Sequence, residues 1–229
     1  DVERSRGLGD VYKRQGQATL RTFVAKMSLL TGAIDTVFMI QSAGPGLNAP
    51  SDVNIQNGKV YITGDYQADS VNLAGTLYPN TGAKDIYVLC VDADMNTQYW
   101  GATANGAGDE NPRKIFANDV AGVTDQIIVS AQITFTSTWG VNTLTPSGNF
   151  DVAYAALDTN GNWLWSFSFG DDNAEAETRG LDFNDAGDRF YLSGYFGDTV
   201  TISGQDFISN GLADGFIGSF DLTGTLQNL

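Results

Sequence analysis

The chain has 229 residues, 12 of them Lys or Arg and 27 Asp or Glu; its formal net charge of −15 disfavours nucleic acid as a partner, because phosphate backbones repel such a surface. It contains no histidine, which removes Ser-His-Asp and Cys-His machinery and the usual zinc sites. Its single cysteine, Cys90, leaves no internal disulfide to form, and hydrophobic residues at 42% supply enough apolar surface for a buried core.

Residues 1–15 read as a tail that is not native, because Ser5 to Gln15 (SRGLGDVYKRQ) matches the translation of a sequencing-library adapter. The fold is therefore expected in residues 16–229. Without the tail, 8 basic residues stand against 24 acidic ones, a net −16.

The first unit, 22–84, opens with a strand at TFVAKMS from Thr22, a Thr31-Gly32 turn and a second strand at 37–41. Thr31, Gly32, Asp35 and Thr36 break the apolar run around 29–40, so it is no membrane helix. A Gly-rich polar loop, an Asn57-Gly58 turn, a third strand VYITG at 60–64 and a weaker fourth strand VNLAG from Val71 complete the unit.

The second unit, 85–150, repeats that order with DIYVLCVD from Asp85, a turn at 94–97, strands at 98–102 and 127–131, and a degenerate fourth strand at 139–143. Cys90 lies within its apolar run and reads as a small buried thiol. The third unit, 151–213, has DVAYAALD from Asp151, the turn Thr159-Asn160-Gly161-Asn162, and strands at 163–169, at FYLSG from Phe190 and at VTISG from Val200. A partial fourth unit, 214–229, begins with DGFIGSFD and ends inside its second strand. No stretch longer than about ten residues carries the helical period.

The leading strands recur at spacings of 63, 66 and 63 residues. An all-β fold of tandem four-stranded antiparallel units of about 63 residues follows. One such unit cannot cover both its faces, so neighbours must stack. Radial stacking of four-stranded sheets predicts a β-propeller fragment, part of a ring of roughly four to eight blades.

Two phrases carry a family likeness: Asp214 to Gly224 (DGFIGSFDLTG) and Asp185 to Gly194 (DAGDRFYLSG). They resemble the SBBP-type β-propeller repeat of bacterial secreted and surface proteins, and the likeness extends over nearly all of 22–229. The middle copy departs, since 117–124 lacks the Asp-x-x-Gly turn and Ala131 replaces the strand-ending glycine. The resemblance implies a secreted or cell-surface location and a role in adhesion or in binding a glycan or protein ligand. An enzymatic alternative is a quinone-dependent dehydrogenase or glycan-active propeller. Gly161-Asn162-Trp163-Leu164-Trp165 resembles the Gly-x-x-x-Trp element of quinoprotein blades, and the catalytic residues would lie on other blades. No catalytic constellation occurs in the chain itself.

Oxygen ligands at alternate positions make Asp92, Asp94 and Asn96, and in the next unit Asp158, Asn160 and Asn162, candidates for Ca²⁺. The competing reading is a hairpin turn in which Asp and Asn bond their own backbone. Asp85, Asp151 and Asp214 recur at the start of each leading strand and read as strand-end caps. Trp100 and Trp165 recur at matching positions and read as packing between units, whereas Trp163 is the exposed candidate for stacking on a sugar. Asp171, Asp172, Asn173, Glu175 and Glu177, like Asp109-Glu110, read as solvated acidic loops. Asp171 and Asp172 are the second candidates for ligand contact, and Arg113, Lys114 and Arg179 offset their charge.

Overall fold

The computed structural model describes residues 22–118, 120–148, 150–171 and 176–229. All regular elements among them are strands. The chain enters as a hairpin of β1 (Phe23–Met27) and β2 (Ile34–Met39), followed by the short β3 (Gln41–Ala43). Next come β4 (Asn48–Gln56) and β5 (Lys59–Tyr66), a small hairpin of β6 (Ser70–Leu73) and β7 (Thr76–Pro79), then β8 (Asp85–Asp92) and β9 (Gln98–Gly106). The same order returns in β10 (Glu110–Ala117), β11 (Ile127–Ile133), the hairpin β12 (Ser137–Trp139) and β13 (Asn142–Leu144), β14 (Asp151–Leu157) and β15 (Trp163–Phe169). It returns again in β16 (Ala176–Phe183), β17 (Arg189–Phe196), the hairpin β18 (Thr199–Ile202) and β19 (Gln205–Ile208), β20 (Asp214–Asp221) and β21 (Leu226–Asn228).

Three antiparallel sheets share one plan: β4-β5-β8-β9, β10-β11-β14-β15 and β16-β17-β20-β21. None closes on itself. The strands that begin at Asp85, Asp151 and Asp214 hold the same third position, so the sequence repeat is a structural repeat.

Sheet membership differs from the sequence expectation in two respects. The weak fourth strand of each unit leaves the sheet and forms the small hairpin between second and third strands. In the middle copy β12 adds to the outer strand of the preceding sheet, pairing Ser137–Trp139 with Ala104–Gly106, while β6 pairs with β3. The sheet instead gains a first strand, β4, β10 or β16, from segments expected to be polar or acidic loops. Polar side chains on these strands have partners in neighbouring sheets. Asp52 Oδ2 accepts the Ile115 N–H at 3.1 Å and Asn54 Oδ1 the Ala117 N–H at 3.1 Å, which occupies donors on the edge of β10.

The third strands β8 and β14 are buried on both faces, which explains their nearly continuous apolar runs, whereas β20 buries Phe216 and Phe220 and leaves Ile217 exposed on its other face. In β8, Ile86, Val88 and Cys90 pack toward the second sheet, with Ile127, Val129, Ala153 and Ala155. Tyr87, Leu89 and Val91 pack the other way, with Val24 and Phe38 of the entering hairpin. The second sheet in turn sends Ile128, Val152, Tyr154 and Ala156 against Phe190, Leu192, Phe216 and Phe220 of the third. Cys90 is fully buried, and burial pushes its thiol up to about 11.

Candidate functional site

The recurrent aspartates tie loops to strand ends. At the start of the third strands, Asp85 accepts the Thr81 N–H at 2.8 Å, Asp151 that of Ser147 at 2.9 Å and Asp214 that of Asn210 at 2.8 Å. These i to i−4 contacts match the expected capping role.

At the other end, the six calcium candidates form two hairpin loops. Asp92 Oδ1 accepts the N–H groups of Asn96 and Thr97 at 2.7 and 2.6 Å. Asp158 accepts those of Asn160 and Asn162 at 2.8 and 2.9 Å and the Asn162 side-chain amide at 2.9 Å. Asp94 instead pairs with Lys26 Nζ at 2.6 Å. Burial of Asp158 favours its neutral form, but hydrogen bonds from Asn162, Asn160 and Gly161 outweigh that and hold its carboxyl below the usual range. Asp158→Ala is expected to cost about 1–2 kcal/mol by leaving these donors to water, as read by urea denaturation.

The hairpin loops also receive the tryptophans of the preceding sheet. Trp100 Nε1 donates to Thr159 O at 2.8 Å, and Trp165 Nε1 to Leu222 O at 2.9 Å. Gly161 (φ +85) and Gly224 (φ +80) are required twice over, since a Cβ at either would lie within 3 Å of the indole it supports. Two residues apart, Trp163 and Trp165 would share a face of a regular strand, but a bulge opposite Ala156 and Leu157 turns Trp163 to the other side, and that side is covered as well. Its ring meets Trp139 edge-on at 5.0 Å and its Nε1 donates to Thr103 O at 3.1 Å, leaving it half-buried.

Asp171 lies past the far end of β15 from Trp163, about eight residues or roughly 26 Å of extended chain away, so the two do not share a site. Asp171 lines a polar cavity of about 490 Å³ with Thr145, Ser147, Asp198, Thr199 and Thr201. Asp172, together with Asn173 and Glu175, lies outside the described residues.

Two residues expected in solvated acidic loops are buried. Glu110 opens β10 and is fully buried beside the Asp85 carboxyl, and among the described residues no donor reaches either of its carboxylate oxygens. Glu177, on β16, is 4% exposed and receives Arg113 Nη2 at 2.9 Å, Arg179 Nη2 at 2.8 Å and the Tyr195 hydroxyl at 2.8 Å. Arg113, Lys114 and Arg179 line a cleft of about 330 Å³ where the first strands of the three sheets meet, with Ser51 and Thr178 on its walls. Sequence reasoning assigned these cations only to charge balance; the visible signal was that the Arg113-Lys114 pair and Arg179 lie 66 residues apart, one repeat. Neither a family model nor a curated protein matches the chain.

Proposed function

We propose that the protein is a β-propeller serving as a non-enzymatic, secreted or surface-attached scaffold that binds a glycan or protein ligand through its loops. One observation carries this reading: three successive four-stranded sheets hold equivalent strands in equivalent places and stack face to face through the same positions. Stacked repeats of that size suit a radial array. Surface location and adhesion rest on the SBBP resemblance. The aspartates that recur once per unit close loops by accepting backbone N–H groups, whereas a catalytic carboxylate pair would occur once per protein. The Asp171 cavity supplies hydroxyls and carboxylates in one recess, the mixture that sugar hydroxyls and peptide amides engage.

The protein is expected to give a defined signal on glycan or protein arrays, and Asp171→Ala or Thr201→Val to weaken it at least tenfold while the melting temperature holds. Absence of any wild-type signal, or an unchanged one in both variants, overturns the binding role. The ring is tested separately by an experimental structure, in which consecutive sheets should turn by one constant angle about a common axis; stacking by translation alone would exclude it.

A further inference from the structure

We infer that the cleft between the first strands binds a compact oxyanion, a carboxylate or sulfate group carried by a small molecule, through Arg113, Lys114 and Arg179. This site is distinct from the Asp171 cavity and does not depend on ring closure. After residue 21 the sequence has seven Lys and Arg residues, and three of them converge here. Within the cleft, three cations face Glu177 and Asp52, so 3 − 2 leaves a local surplus of one positive charge in a chain of net −15.

Glu177 fixes the geometry. Its Oε1 pairs with Arg113 Nη2 and its Oε2 with Arg179 Nη2, while Gln132 Oε1 also accepts from Arg113 Nη2 at 2.9 Å. Arg179 additionally lies over the Tyr195 ring at 5.8 Å. These contacts engage Nη2 of each guanidinium, and the Arg113 and Arg179 side chains are still 33% and 66% exposed. Guanidinium groups held in place while still facing solvent suit the oxygens of a carboxylate or a sulfate group. Lys114, 3.9 Å from Asp52 Oδ1 and 38% exposed, adds a loosely held ammonium at the mouth. Orienting the donors beforehand removes part of the entropy cost of binding. The surrounding negative charge selects against polyanions, whose further charges would extend past the cleft within a Debye length of about 8 Å of acidic surface.

Isothermal titration with sodium sulfate and with sodium glucuronate, each against sodium chloride at matched ionic strength, tests the site. Melting alone would not, because sulfate stabilises folded proteins generally. At least one of the two anions is expected to bind with one site per chain, and Arg179→Met and Lys114→Met each to weaken it at least fivefold. Arg189→Met, which removes a cation elsewhere, should leave binding unchanged. The proposal is overturned if neither anion exceeds chloride in the wild-type protein, a result that needs no variant to fold, or if both cleft variants bind as the wild type does.

Discussion

Replacing Tyr154 with alanine is expected to destabilise the protein by about 3–5 kcal/mol, the range for deleting a large buried aromatic side chain. Tyr154 is 2% exposed on β14 and joins two sheets. Its ring lies 6.0, 5.8 and 6.1 Å from Trp165, Phe167 and Phe169 of its own sheet, and 6.2 and 5.1 Å from Phe190 and Phe220 of the next. Its hydroxyl donates to Gly224 O at 3.0 Å, fastening the next sheet's hairpin loop. Burial, aided by the Asp221 charge, keeps the phenol protonated far above its ordinary range, so the bond persists at alkaline pH. Tyr154→Phe keeps the ring contacts and removes this bond alone, for an expected loss of about 1–2 kcal/mol. The exposed Tyr191 on β17 is the control: its replacement by alanine should cost under about 0.5 kcal/mol. Urea denaturation of the three variants orders them. A loss for Tyr154→Ala no larger than for Tyr191→Ala would mean that face-to-face packing of consecutive sheets does not hold the fold together.

The parts of this fold legible in the sequence are those where one physical demand dominates. β8 and β14 must be apolar on both faces, so they read as strands from composition alone, and β20 is legible because it repeats their phrase from Asp214. Gly161 and Gly224 must adopt positive φ, so the hairpins beside them were visible as turns. The first strands were hidden because their side chains answer to partners distant in sequence: Asp52 and Asn54 cap a neighbouring sheet edge, and Glu177 is polar because two arginines and a tyrosine meet it. The small hairpins β6–β7 and β12–β13 show the same limit. Their β character was legible, but the pairing of Trp139 with Ala104 is a long-range event that local pattern does not encode. Strict alternation would put Trp163 and Trp165 on one face; the bulge opposite Ala156 and Leu157 separates them, a feature the sequence does not announce, and Trp163 is then covered by Trp139 of the neighbouring small hairpin. The cleft between the first strands is hidden in the sequence for a related reason: its cations come from two repeats and its anchoring carboxylate has the pattern of a solvated loop.

Glu110 is expected to make the protein less stable as pH rises. Burial, and then the Asp85 carboxylate beside it, push the Glu110 carboxyl up to about 8, with Asp109 adding to the repulsion. Burial likewise raises Asp85, although N–H groups of Thr81 and Gly106 ease its charge. Both side chains are fully buried. The low-pH form of this pair carries a proton that Glu110 can donate to Asp85, and the high-pH form places two negative charges in a site closed to water. The folded state therefore binds a proton more tightly than the unfolded chain, whose glutamates titrate near about 4.3. By linkage, this contribution to stability is complete below the unfolded value, declines as pH rises between the two, and is gone above about 8. At roughly 1.4 kcal/mol per pKa unit, the decline amounts to at most about 5 kcal/mol. Asp158 and Asp221 act at the opposite end, because their depressed carboxyls lose stabilising hydrogen bonds only as pH falls through the acid range. Glu110→Gln retains a donor for Asp85 and removes the titration. Melting temperature measured from pH 5 to 9 should fall in the wild-type protein and stay nearly level in the variant, which becomes the more stable of the two at pH 9. Parallel curves for the two proteins would show that the Asp85–Glu110 pair is not the source of the pH dependence.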